Sequence, residues 1–99
     1  MHVFDCHIQK LFNFVKKRFG SFIYAEVDKF DGSGQNYLML KDEYDNELHL
    51  KGCNSGYGGE GPRGTLELLN KLGFNLDIRF VFCAKTFAIY HPSTELLYL

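Results

Sequence analysis

Lys16-Lys17-Arg18-Phe19-Gly20-Ser21-Phe22-Ile23-Tyr24-Ala25-Glu26-Val27-Asp28 is where the chain changes its period. Upstream, the apolar residues Ile8, Leu11, Phe12, Val15 and Phe19 are spaced by threes and fours, as on one face of a helix. Downstream, Ile23, Ala25 and Val27 alternate with Tyr24, Glu26 and Asp28, the period of two of a half-buried strand. Gly20 suits the stop just past a helix end. Lys16, Lys17 and Arg18 complement the negative pole of a last turn, and Asp5 suits an N-cap. The spacing predicts a helix over 5–19 and a strand over 21–30, with Ile23, Ala25 and Val27 facing inward.

Working outward, Asp31-Gly32-Ser33-Gly34 reads as a turn. Residues 36–41 and 47–51 read as two further strands, the second with Leu48 and Leu50 inward and His49 outward. The polar stretch 42–46 joins them as a hairpin turn. A second helix is expected over 62–72, with Pro62 in its first turn, Leu66, Leu69 and Leu72 facing the core, Leu68 flanking and Gly73 as the stop. Residues 77–83 and 86–91, rich in Phe, Ile and Val, read as two more strands. Helix, three strands, helix, two strands argues an α+β fold. We expect an antiparallel sheet of about five strands with two helices packed on one face. The expected core is Ile8, Leu11, Phe12, Val15, Ile23, Val27, Leu48, Leu50, Leu66, Leu69, Ile78, Phe80 and Phe82.

The 99 residues fit one compact domain, and ten Phe with six Tyr can fill its core without Trp. A net charge of −1 gives no electrostatic case for nucleic acid or an acidic membrane surface. No apolar run approaches the roughly 18 residues that span a bilayer. Cys6, Cys53 and Cys83 are an odd number without framework spacing, so three reduced thiols and a cytoplasmic location are expected.

The functional reading centres on Gly56-Tyr57-Gly58-Gly59-Glu60-Gly61-Pro62-Arg63-Gly64, which runs into Thr65 and a leucine-rich segment. Clustered glycine marks backbone that takes positive φ or approaches something closely. At a helix N-terminus it presents unpaired N–H groups and a partial positive charge, the ingredients of an anion site. No Gly-Lys-Ser/Thr closes the loop as in a phosphate-binding P-loop, and the spacing departs from a dinucleotide fingerprint. The expected ligand residues are Tyr57, Gly58, Gly59, Gly61, Arg63, Gly64 and Thr65. Arg63 would clamp phosphate or carboxylate, Tyr57 would stack on a base or ring, and Thr65 would offer its hydroxyl. Glu60 opposes an anion, though it suits a ribose hydroxyl or the helix dipole.

The run Gly56-Tyr57-Gly58-Gly59-Glu60-Gly61-Pro62, with Leu66, Leu68 and Leu69 after it, resembles that of short, largely uncharacterised bacterial and phage-associated proteins carrying Gly-Tyr-Gly-Gly-x-Gly-Pro before a leucine-rich helix. The likeness covers about a fifth of the chain. Ser55 stands where those proteins often carry an aromatic residue, and Glu60 where they often carry a small one. The resemblance implies that the loop is a recurring unit and assigns no activity.

Other chemistry is sparse. His2, Cys6, His7, His49, Cys53, Cys83 and His91 lack the paired spacing of a metal site, so no metal or cofactor is expected. Cys53 beside the loop could pair with His49 or His91 as a nucleophile, but a small, semi-buried loop thiol is the plainer reading. The acidic stretch 42–47 lacks a calcium loop's ligand pattern. The chain therefore reads as a non-enzymatic binding protein for a small anionic ligand, most simply a nucleotide or nucleotide-derived signal. It would act as a sensor or phage-type signal sponge in anti-defence, and could form a homo-oligomer. The alternative is a protein-interaction module or inhibitor using an aromatic sheet face (Tyr24, Tyr37, Tyr44, Tyr90) or the apolar tail at 96–99.

Overall fold

The periodic segments become elements with bounds close to those read from the sequence. The computed structural model describes residues 2–3, 8–30 and 35–92, with side chains from residue 10 onward. In chain order these residues form β1 (His2–Val3), α1 (Ile8–Arg18), β2 (Phe22–Asp28), β3 (Tyr37–Asp42), β4 (Glu47–Leu50), α2 (Glu60–Lys71), α3 (Ile78–Cys83) and β5 (Phe87–Tyr90). The Asp5 cap, the turn at 31–34 and the tail at 96–99 lie outside the described residues, as does the side chain of Ile8.

The sheet order is β1-β4-β3-β2-β5. Strands β4, β3, β2 and β5 are antiparallel throughout, and β1 pairs with β4 in parallel. The fold is α+β. Pairing of Val27 with Leu38, Ala25 with Leu40, Leu38 with Leu50 and Leu40 with Leu48 lines these residues along one face. Leu11 and Val15 of α1, Leu68 and Leu69 of α2, and Phe74 complete a single buried cluster with them. Full burial of each leucine contributes about 1.5–3 kcal/mol.

Four expectations are corrected. First, Ile23 is not core. The register shifts between Phe22 and Tyr24, so Phe22 turns inward and Ile23 is left half-buried. A bulge of this kind flips the alternation at one end of a strand.

Second, α2 is rolled from the expected face. Thr65, Leu68 and Leu69 are buried while Leu66 and Leu72 are half-buried. Residues 65, 68, 69 and 72 still follow the helical spacing, but a threonine opens the stripe.

Third, residues 77–83 are not a strand. Asp77 accepts a hydrogen bond from the Arg79 backbone N–H at 2.7 Å and caps α3. Helical geometry then sends Ile78, Phe80 and Phe82 apart. Val81 is fully buried, whereas Ile78 is 49% and Phe80 38% exposed. The helices are therefore three among the described residues, not two.

Fourth, β1 supplies the fifth strand where the segment at 77–83 was expected to.

Candidate functional site

The strand-to-helix loop begins where β4 ends. Cys53 ties its start to the sheet, its carbonyl accepting from the Leu38 N–H and its own N–H donating to the Leu50 carbonyl. Asn54 organises the middle. Its backbone carbonyl accepts from the Thr65 hydroxyl at 2.7 Å, and its side-chain oxygen accepts from the Tyr57 hydroxyl at 3.1 Å. Ser55 donates from its hydroxyl to the Ala84 carbonyl, and Asn36 donates to the Lys85 carbonyl. Sequence reasoning passed over both asparagines, because Asn54 accepts from hydroxyls 3 and 11 residues on and Asn36 donates to a carbonyl 49 residues away.

Packing accounts for several of the glycines. Gly56 has φ +92° and donates its N–H to the Val81 carbonyl. A Cβ there would come within 3.1 Å of the Lys85 Cα. A Cβ on Gly61 would fall on the Asn54 side-chain oxygen. Gly64 is buried inside α2. Gly58 has room, since a Cβ would meet Phe82 only at 3.6 Å.

The expected ligand residues therefore divide. Thr65 is fully buried, and its hydroxyl is engaged with the carbonyls of Asn54 and Gly61. Tyr57, Gly58 and Arg63 face solvent, and Gly59 is half-exposed. Gly59 is the N-cap of α2, extended in backbone and without a side-chain cap. Glu60 lies in the first turn. Arg63 makes no ion pair among the described residues. The loop thus presents a helix start without a side-chain cap, with the Tyr57 ring packed against Gly59 and exposed Arg63 one turn on.

The sheet face away from the helices carries a second set of polar and aromatic groups. Tyr24 stacks on Tyr90 with ring centroids 5.0 Å apart and donates its hydroxyl to the Glu26 carboxylate at 2.7 Å. Burial, then the Glu26 hydrogen bond and charge, then Tyr90, push the Tyr24 phenol up to about 12. Tyr37 and His49 share a 3.0 Å hydrogen bond, and the other His49 ring nitrogen lies 3.0 Å from Glu47. Tyr44 does not join this face; it is an exposed turn residue.

Cysteine chemistry departs from expectation. Cys53 is fully buried and disulfide-bonded, not a free thiol, and so cannot serve as a nucleophile. Cys83 is free and exposed. Cys6 lies outside the described residues. Among the described residues, no group of three or more His, Cys, Asp or Glu side chains could hold a metal ion, and no helix is long and apolar enough to cross a membrane.

No family model matches the chain, and neither a curated protein nor a solved structure matches it.

Proposed function

We propose that this protein is a non-enzymatic binding domain for a small anionic ligand, held at the N-terminus of α2. The observation that carries the reading is the Gly59 helix start without a side-chain cap, with exposed Tyr57 against it and Arg63, which makes no ion pair among the described residues, one turn on. The amides and helix pole attract an anion, Arg63 supplies a bidentate contact, and Tyr57 offers a ring face. A nucleotide or nucleotide-derived signal has both parts. The helix pole contributes only about 0.3–1 kcal/mol at an exposed surface. Micromolar affinity needs about 8 kcal/mol. Arg63, Tyr57 and further groups, such as those of a second subunit, must therefore supply most of the binding. The bonded Cys53 favours an oxidising compartment over the cytoplasm, where thiols are kept reduced.

Calorimetry against AMP, cyclic nucleotides, ADP-ribose and inorganic phosphate tests the proposal. Arg63→Ala should weaken the bound member at least tenfold. Gly58→Val should block backbone approach without disturbing the fold. Failure of the whole panel, or unchanged affinity in both variants, overturns it.

A second reading has its own observation. Ile78 and Phe80 of α3 are exposed, and the Phe80 ring packs against that of Phe87 in the edge strand β5, with centroids 5.0 Å apart. This apolar corner suits a protein partner or a second copy. If it does assemble the chain, Ile78→Asp and Phe80→Asp should lower the mass seen by light scattering while leaving nucleotide binding intact. An unchanged mass removes this reading.

A further inference from the structure

We draw no further inference here: the strongest candidate, the exposed surface patch of α1 that carries Lys10, Lys16, Lys17 and Arg18 beside the half-buried rings of Phe12 and Phe14, has its charge offset by the helix C-terminus and by Glu43, Asp45 and Glu47 around the adjoining β3–β4 turn, and nothing in the structure shows what covers it.

Discussion

Two connections in this molecule solve the same problem by opposite means. The β3–β4 turn is held by one charged side chain, and the loop before α2 by the absence of side chains. In the turn, Asp42 is fully buried, and its carboxylate accepts from the N–H groups of Gly20, Tyr44 and Asn46 and from the Asn46 side-chain amide, at 2.8–3.1 Å. In the loop, Gly56 and Gly61 occupy places where a Cβ would strike Lys85 or Asn54. A carboxylate gathers donors from two segments at once and makes the joint sensitive to charge. Small residues make a joint that charge does not touch but a methyl group disturbs.

The largest effect expected is at Asp42. Asp42→Ala strands four donors, and should lower stability by about 3 kcal/mol in urea denaturation at pH 7. Acid should act in the same direction. Burial alone would raise the Asp42 carboxyl, but the hydrogen bonds from Gly20, Asn46 and Tyr44 outweigh it and hold the group below the usual carboxylate range. Its contribution is complete above pH about 4 and is lost as pH falls through the lowered native value. Asp42→Asn should start less stable at neutral pH and lose less on acidification. Parallel acid curves for the two proteins would break the contrast.

Next come the glycines. Gly56→Ala faces both positive φ and the Lys85 backbone, and should cost about 1–2 kcal/mol. Gly58→Ala has neither obstacle and should lie within about 0.5 kcal/mol of wild type. Equal costs at the two positions would mean that the loop is not held by packing. The smallest effect is a count. With Cys53 bonded and Cys83 free, alkylation of the unfolded, unreduced protein should find one thiol among three cysteines. Three would restore the reduced protein that the odd number of cysteines suggested.

What could be read in advance follows from how far each cause lies along the chain. The Leu48 and Leu50 alternation and the helical spacing of Leu11 and Val15 are local, and all four residues are buried. The bulge at Phe22 has its cause in the pairing of that residue with Asp42, 20 positions on, and alternation cannot see it. At 77–83 a local signal was present but outvoted. Asp77 is an N-cap residue, yet Ile, Phe and Val after it are strand formers, and only one of them had to be buried for a helix to succeed. In the loop, the glycines were visible and their partners were not. Lys85 lies 29 residues beyond Gly56, and nothing in the glycine run names it. Tyr57 and Arg63 were legible as exposed for the same reason that Thr65 was not legible as buried: polarity predicts exposure until a carbonyl is brought to the hydroxyl.

The placement of β1 has a consequence for how the chain assembles. β1 and β2 run in the same direction, with β4 and β3 between them, so α1 must cross two strands that the ribosome has not yet made. The meander β2–β3–β4 closes through near neighbours, whereas His2 must find His49. Contacts of such long sequence separation form late, after loop closure has been opposed by entropy. A two-residue strand at the rim adds little to offset that entropy. Amide protons of the meander should therefore outlast those of β1 in native-state exchange, with the rim opening as its own small cooperative unit while the centre of the sheet stays shut.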